Sequence, residues 1–238
     1  MRNEAGMTPP RIHRVSTLDL KLEPFDWPFA QTRRREIDAH FADKQREKQA
    51  MWNGRVLLAR KPEFEGERLE ASYFETDFAS FLAWRDWGFP DRRVFNGFGM
   101  GALRCADGAF VMGEMGRHTA NAGRIYFPSG TPDLDDIKGD TVDIAGSVVR
   151  EVCEETGLSP ADYRWGTYWD CVVTGPSIAM MRLLHSDLSG EAMQARIEAN
   201  LARQKEPELA AIHLVRNLGD LTAAMPRFVT AFVEKQLS

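Results

Sequence analysis

The residues best suited to chemistry lie in one short stretch, Arg150–Leu158, with the sequence Arg-Glu-Val-Cys-Glu-Glu-Thr-Gly-Leu. On a helix, residues three and four apart share a face, so Glu151 would lie beside both Glu154 and Glu155. The aliphatic residues of the same stretch would fall on a neighbouring stripe and face a core. The spacing therefore predicts a helix that buries one side and gathers three carboxylates on another.

Such crowding is unfavourable unless something neutralises it. Two carboxylates about 4 Å apart repel by roughly 4 kcal/mol at an effective dielectric constant near 20. A hard divalent cation, which prefers oxygen ligands, turns this repulsion into attraction. A solvated acidic helix face is the alternative interpretation, and the spacing alone leaves both open. Gly157 can end the helix in a left-handed conformation, and Pro160 prevents the helix from resuming.

Every specified position of Arg150–Leu158 matches the second half of the Nudix box, Arg-Glu-aliphatic-x-Glu-Glu-x-Gly-aliphatic, and the chain resembles the Nudix hydrolases on that basis. The first half of the box departs from the pattern. Asp136 and Val142 stand where the family has Gly and Glu. The segment Pro128–Pro132, Pro-Ser-Gly-Thr-Pro, resembles the Pro-Gly-Gly lead into the box, and an acidic loop follows it.

The resemblance implies a pyrophosphohydrolase that cleaves a phosphoanhydride bond in a nucleoside diphosphate linked to another group. Mg²⁺ or Mn²⁺ would be the cofactor, held by Glu151, Glu154 and Glu155. The same resemblance implies catalytic roles for Glu154, Glu155 and Arg150, with Arg150 pairing with a box glutamate. Family members often add a late glutamate to the metal site, for which Glu206 is the candidate and Glu208 the alternative.

Two residues outside the helix are implied to contact substrate. Arg117 follows the second strand of a predicted hairpin, where related enzymes often place a basic residue against phosphate. Its planar guanidinium suits bidentate contact with phosphate oxygens. The alternatives are that Arg124 or His118 makes this contact, or that Arg117 is a solvated loop arginine. Gly130 lies in the Pro-Ser-Gly segment and is the second predicted contact.

The layout of the chain resembles the Nudix group that cleaves UDP-sugars, for which UDP-glucose would give UMP and glucose 1-phosphate. The competing function is a catalytically silent Nudix domain that acts as a nucleotide sensor or interaction module. Loss of the first-half Gly and Glu favours the silent domain, whereas the three retained glutamates oppose it. A CoA or dinucleotide pyrophosphatase is a further alternative without a specific motif.

Composition limits the partners and the compartment. The net charge of −5 and pI near 5.6 argue against a general nucleic-acid binder, which would present a basic face. Cys105, Cys153 and Cys171 are too few and too widely spaced for a disulfide framework or zinc cluster, which favours a cytoplasmic location. No apolar stretch approaches the roughly 20 residues of a membrane span. We expect a small nucleotide substrate, no nucleic acid or membrane partner, and leave a homodimer open.

The expected fold class is α+β: a Nudix-type α/β/α sandwich with a mixed central sheet, preceded by a small α+β module. The expected divisions are a disordered tail at 1–12, an N-terminal module at 13–92 and the hydrolase domain at 93–238. Strands are predicted at Val15–Leu22, Arg55–Ala59 and Arg68–Phe74, and a helix from Gln31 to about Ala50. Asn96–Gly101, Asn-Gly-Phe-Gly-Met-Gly, is predicted as a strand whose glycines admit a close backbone, in preference to a phosphate loop.

Overall fold

The computed structural model describes residues 9–48 and 51–238, and the strands within these ranges form one hydrogen-bonded mixed sheet. The strands are β1 (Arg11–Val15), β2 (Thr17–Leu22), β3 (Arg55–Glu65), β4 (Arg68–Asp77), β5 (Val94–Arg104), β6 (Phe110–Met115), β7 (Ile125–Tyr126), β8 (Ile137–Lys138), β9 (Thr141–Val142), β10 (Arg164–Thr174), β11 (Ser177–His185) and β12 (Leu209–Val215).

The α-helices of the described ranges are α1 (Pro28–Thr32), α2 (Arg34–Glu47), α3 (Phe78–Asp86), α4 (Ile144–Thr156), α5 (Gly190–Leu201) and α6 (Arg227–Leu237). Among them, none combines the length and apolar character needed to cross a membrane. The helix predicted from Gln31 to about Ala50 is divided at Arg33, and residues 49 and 50 lie outside the described ranges. Asp77 caps α3 as its carboxylate accepts the Ser80 backbone N–H at 2.9 Å.

The strand order is β1-β10-β11-β5-β3-β4-β2-β9-β8. Outside this order, β6 pairs with the end of β5 at Arg104, and it also pairs with β7 and β12. The β5–β11 and β2–β4 pairs are parallel and the other pairs are antiparallel. The predicted α+β class with a mixed sheet is therefore confirmed. β5 occupies the junction: it pairs with β3 at its start and with β11 along most of its length.

The N-terminal strand differs from its prediction. The predicted strand Val15–Leu22 is instead two strands that separate at Ser16, with β1 on β10 and β2 on β4. The tail predicted for residues 1–12 falls outside the described ranges up to residue 8, but Arg11 and Ile12 pair with Val173 and Val172. The backbone of β10 offers an edge that a short alternating segment can complete, which composition alone does not reveal.

Two apolar clusters lie against this sheet. The larger one joins β5, β6, β10 and β11 with α4, α5 and α6. The smaller one packs Trp27, Ile37, Phe41 and Trp84 of the helical segments against Phe74 of β4. The residues assigned to an N-terminal module thus have their own aromatic core but share their strands with the rest of the sheet. The division at 92/93 stays a prediction.

The glycines of β5 allow α4 to approach closely, as the sequence predicted. A Cβ on Gly99 would lie 2.6 Å from Val148 Cγ2 and 3.2 Å from the Ile144 carbonyl oxygen. A Cβ on Gly101 would lie 2.7 Å from Val152 Cγ2. Carbon–carbon contacts this short do not occur between non-bonded atoms, so only glycine fits between the strand and the helix at these positions.

A buried carboxylate ties the two ends of the chain to β10. Asp170 accepts two hydrogen bonds from Arg14 of β1, both at 3.0 Å. It also accepts one from Lys235 at 2.7 Å and one from Gln236 at 2.8 Å, both on α6. Burial by itself would raise the pKa of Asp170, but the bonds from Arg14 and Lys235 outweigh it and lower the pKa.

Replacing Gly99 with Ala is expected to lower the free energy of unfolding by about 1–3 kcal/mol, because the new methyl group overpacks the interface with α4. Denaturant unfolding of both proteins measures the change. A Gly175→Ala variant serves as the control, because Gly175 has φ of 57° and open space around it, so only backbone strain is added there. A Gly99→Ala protein as stable as wild type would contradict the close approach.

Asp170→Asn is expected to destabilise the protein at neutral pH by about 1–3 kcal/mol, because Arg14 and Lys235 lose their carboxylate. Since the folded-state pKa of Asp170 is lowered, its contribution is fully present above the ordinary Asp pKa, about 4, and is lost as pH falls through the lower folded value. The difference between wild type and variant should therefore shrink in acid. Unfolding curves at pH 7 and pH 3 test this, and an equal difference at both would contradict it.

Candidate active site

The candidate site is organised by α4, whose two ends follow from local sequence. At its start the Asp143 carboxylate accepts the backbone N–H of Gly146 at 2.9 Å. At its end Gly157 adopts φ of 74° and donates its N–H to the Cys153 carbonyl at 2.8 Å, so the predicted helix stop is confirmed. Between them, Val148 and Val152 are buried against β5.

The glutamates of α4 are in different environments. Glu155 is buried, at 5% exposed, and Glu151 has a side chain 13% exposed. Both line the main cavity of the described chain. Glu154 is on the solvent side, with a side chain 61% exposed, and its carboxylate lies 3.6 Å from Arg150 Nη1. The helix thus brings two of the three predicted ligands directly into the cavity wall, with the third beside them at the surface.

Arg150 contacts carboxylates and does not line the cavity. Its Nη1 donates to Glu151 Oε1 at 2.8 Å, as expected for a residue that pairs with a box glutamate. Its Nη2 donates to both oxygens of buried Asp136, at 3.1 and 3.2 Å. Asp136 is the residue that replaces the expected Gly of the box. These contacts assign Arg150 a positioning role, because it holds Glu151 and the preceding loop in place.

The cavity has a volume of about 890 Å³, within the range usual for small-molecule sites. The segments that contribute to it are α3, β5, the loop before β7, the Pro128–Pro132 segment, α4 and the residues before α6. Its aromatic wall includes Phe78, Phe81, Phe89, Phe98 and Phe228. Lys48, Arg85, Arg124 and Arg227 add positive charge to a wall that also carries the glutamates.

Burial and mutual repulsion perturb the cavity glutamates. Burial raises the pKa of Glu151 to about 7; Arg150 opposes the shift, while Glu154 and Glu208 add to it. Burial likewise raises the pKa of Glu155 well above its ordinary value, and the charges of Glu151 and Glu208 act in the same direction. These carboxylates are therefore destabilised as anions unless a cation joins them.

Gly130 lies against the glutamates, as its predicted place in the site requires. A Cβ there would be 2.3 Å from Glu151 Oε1, so a larger residue would displace the carboxylate. The backbone N–H of the preceding Ser129 lies near Glu155 and favours its ionised form, which partly opposes the rise of its pKa. The Pro128–Pro132 segment therefore brings its backbone up to both buried glutamates and lines the cavity beside them.

The late glutamate in the cavity is Glu208, the alternative in the prediction. Glu208 lines the cavity and its charge acts on both Glu151 and Glu155. Glu206 does not line this cavity, and its place in the metal site stays a prediction. The Glu208 carbonyl accepts the N–H of Gly116 at 2.7 Å. This contact places Glu208 next to the loop before β7, a relationship that residue order cannot show.

The substrate contact predicted for Arg117 also stays a prediction. Arg117 is exposed and does not line the cavity. Its loop turns tightly, with the Thr119 N–H bonded to the Gly116 carbonyl at 3.1 Å, so Arg117 projects away while His118 and Arg124 line the wall. Arg85 and Arg227, distant in sequence, supply cavity guanidinium groups that motif spacing did not indicate.

Sequence reasoning missed Tyr126 at the end of β7. Burial raises its pKa, as do the nearby charges of Glu155, Glu208 and Glu151. The Asn121 side-chain amide donates to its hydroxyl oxygen at 3.1 Å, so the hydroxyl hydrogen is free to be donated towards the carboxylates. Its position two residues before Pro128 was the available signal.

The described residues contain no group of three or more His, Cys, Asp or Glu side chains already arranged as a metal site. The chemistry of the donor set is nevertheless suited to a hard divalent cation, because Glu151, Glu155 and Glu208 offer only oxygen ligands. The pKa values of Glu151 and Glu155 are raised mainly by burial and further by the charges of neighbouring glutamates, and a bound cation would oppose both effects. On this chemical basis the residues fit Mg²⁺ or Mn²⁺.

No protein-family model matches the chain, and no curated protein matches it either. Similar solved structures include the Nudix hydrolase RenU from M. smegmatis, at 12% identity and a TM-score of 0.38, which covers 59% of this chain and 81% of that one. The MutT protein of Methanosarcina mazei Go1 has 15% identity and a TM-score of 0.34, over 59% of this chain and 91% of that one.

A third similar structure is the bifunctional NMN adenylyltransferase/ADP ribose pyrophosphatase of Francisella tularensis. It has 14% identity and a TM-score of 0.40, over 66% of this chain and 44% of that one. This chain therefore matches less than half of the bifunctional protein. At these TM-scores the similarities establish neither the family nor the activity of this chain, which depend on the site itself.

Added Mg²⁺ is expected to stabilise the wild-type protein and to stabilise Glu155→Gln much less. At a concentration about 100-fold above its Kd, a bound ion contributes about 2.7 kcal/mol. In EDTA the Glu155→Gln protein should be the more stable of the two at neutral pH, because burial raises the pKa of Glu155 and folding must then protonate or desolvate a carboxylate that is ionised in the unfolded chain. Thermal unfolding with EDTA or Mg²⁺ measures both effects.

Glu206→Gln is the matched control for this experiment, because Glu206 is exposed and lies outside the cavity. It should gain as much stability from Mg²⁺ as the wild type does. The cation site would be contradicted if Mg²⁺ stabilised neither wild type nor control, or stabilised Glu155→Gln equally.

Proposed function

We propose that the chain is a divalent-metal-dependent hydrolase that cleaves a phosphoanhydride bond in a nucleoside diphosphate linked to another group. The observation that carries the proposal is the convergence of Glu151, Glu155 and Glu208 in one cavity, beside the backbone of Ser129 and Gly130. The match of Arg150–Leu158 to the second half of the Nudix box supports it from the sequence.

The cation would be held by Glu151, Glu155 and Glu208, with Glu154 adjacent at the surface. A bound Mg²⁺ or Mn²⁺ neutralises pyrophosphate charge and lowers the pKa of water. A carboxylate of this group that does not bind the cation would be free to accept the proton of the attacking water. Arg150 fixes the orientation of Glu151 by the 2.8 Å bond.

The remaining cavity suits a substrate that is negatively charged at one part and flat or apolar at another. Lys48, Arg85, Arg124 and Arg227 line the wall and can pair with phosphate oxygens. The aromatic residues can pack against a nucleobase. Because α3 contributes to this wall, the N-terminal part of the chain forms part of the nucleotide pocket. For the finer assignment we propose a UDP-sugar such as UDP-glucose, cleaved to UMP and glucose 1-phosphate.

One observation favours a second function, a catalytically silent domain that binds a nucleotide as a sensor or interaction module. The glutamates of the described chain are not prearranged as a three-ligand metal group. In addition, Asp136 stands in the place of the box Gly and is bound by Arg150. Such a domain would bind nucleotides in the same cavity without Mg²⁺-dependent turnover.

Glu155→Gln and Glu151→Gln are each expected to lower kcat/KM by about 100-fold or more, because each removes a carboxylate from the reacting end of the cavity. Glu208→Gln should also lower it, whereas exposed Glu206→Gln should retain wild-type activity. A coupled phosphatase assay over UDP-glucose, ADP-ribose, CoA and dinucleotides, with Mg²⁺ or Mn²⁺, measures these values. Nucleotide binding without turnover on any substrate would support the silent domain, and full activity in Glu155→Gln would contradict the hydrolase.

A further inference from the structure

The floor of the cavity is one face of β5. Its even-numbered residues Asn96, Phe98 and Met100 line the cavity. The odd-numbered residues between and after them are glycines, and those at 99 and 101 lie against α4. Because strand side chains alternate between faces, the same short segment supports the catalytic helix on one face and presents three side chains to the cavity on the other.

The two ends of this floor are chemically different. The Gly101 N–H bonds to the Pro128 carbonyl at 3.2 Å, so the Met100 end lies beside the Pro128–Pro132 segment and hence beside Glu151. Asn96 is four residues away, which on a strand corresponds to about 13 Å. A group bound at Asn96 is therefore well separated from a bond cleaved at the carboxylates, on the order of the length of a nucleoside.

Asn96 presents an acceptor that has no partner. Its Oδ1 is shielded from solvent and accepts no hydrogen bond from the described chain. The backbone is not the cause, since the Asn96 N–H is already bonded to the Pro176 carbonyl at 2.8 Å. Because this oxygen is shielded while Asn96 itself lines the cavity, rotation of the amide about its terminal bond would bring the oxygen to the cavity, where a ligand N–H can supply the missing hydrogen bond.

The surroundings of Asn96 suit a flat polar ring. Thr174 and Ser177 also line this end of the cavity and are neighbours at the β10–β11 turn. The Phe98 and Phe228 rings lie 5.6 Å apart in an edge-to-face arrangement and provide an aromatic wall next to Asn96. Aromatic surfaces with a few hydrogen-bonding groups are the usual means of binding a nucleobase.

We propose that Asn96 is a base-reading residue: its side-chain carbonyl accepts a hydrogen bond from an N–H of the substrate nucleobase, which packs against the Phe98–Phe228 wall. The inference rests on the proposed function for the identity of the ligand as a nucleotide. It assigns selection among bases to the β5 floor, about 13 Å along the strand from the carboxylate end.

The test compares Asn96→Ala with Asn200→Ala. Asn200 is a matched control, because its amide also has a buried atom without a partner but lies outside the cavity. Titration calorimetry measures the Kd of AMP, GMP, CMP and UMP, which lack the bond to be cleaved. The wild type should prefer one base. Asn96→Ala should raise the Kd of that nucleotide by about 10- to 100-fold and flatten the preference among bases. Asn200→Ala should match wild type.

Asn96→Leu removes the polar atoms but keeps a similar volume, so it guards against a folding defect in the alanine variant. It should weaken nucleotide binding and flatten the base preference in the same way. Retained affinity and base preference in both Asn96 variants would overturn the proposal. An equal loss of affinity for all four nucleotides would also overturn it, because it would indicate a contact to sugar or phosphate. A wild type that binds none of the four nucleotides would overturn it as well.

Hydrolysis of ADP-, GDP-, CDP- and UDP-glucose, measured in parallel, separates this proposal from the proposed function. Wild type that binds one monophosphate through Asn96 but hydrolyses none of the sugars would leave the base-reading role standing and overturn the hydrolase. If wild type hydrolyses one of the nucleotide sugars and Asn96→Ala keeps the same base preference, the hydrolase stands and the base-reading role is overturned. Where both hold, the loss in Asn96→Ala should appear mainly in KM, since the contact is remote from the cleaved bond.

Discussion

The architecture depends on the close contact between β5 and α4. Gly99 and Gly101 leave no room for a side chain between the strand and the helix. This contact sets the distance of Glu151 and Glu155 from the sheet, and it directs the alternate residues of β5 to the opposite face. One steric requirement therefore locates both the carboxylates and the cavity floor, and β5 also joins the two halves of the sheet.

Electrostatic balance at α4 explains how Asp136 can be buried beside an acidic helix. Asp136 adds a buried acid next to helix residues that are already acidic. Arg150 compensates by binding Asp136 and Glu151 together, whereas buried Glu155 has no cationic partner among the described residues and its pKa is raised. An isolated buried carboxylate is costly, whereas the same carboxylate shared with a cation is not. The carboxylates that are unfavourable in the metal-free cavity are thus the groups that would bind a cation there.

Local patterns predicted the elements well because their causes are local. The left-handed stop at Gly157 was predicted because it needs only neighbouring residues, and the caps at Asp143 and Asp77 found in the structure have equally local causes. Predictions that depended on contacts between distant segments were less successful. Arg117 and Glu206 were chosen by spacing but do not line the cavity, whereas Arg124 and Glu208 do. The division of the chain at 92/93 stays a prediction, because strands from both sides of it belong to one sheet.

By itself, the sequence determined the acidic helix, its ends, the glycines of β5 and the chemistry expected of clustered carboxylates, because these follow from residue type and short-range spacing. The tertiary structure alone decided which acids share a cavity, which cationic side chains face them and how far Asn96 lies from Glu151. Those relationships depend on how β5, α3, α4 and the Glu208 segment pack, and strand pairing between residues distant in sequence leaves little local trace. It also decided that Arg11–Val15 completes an edge of the sheet.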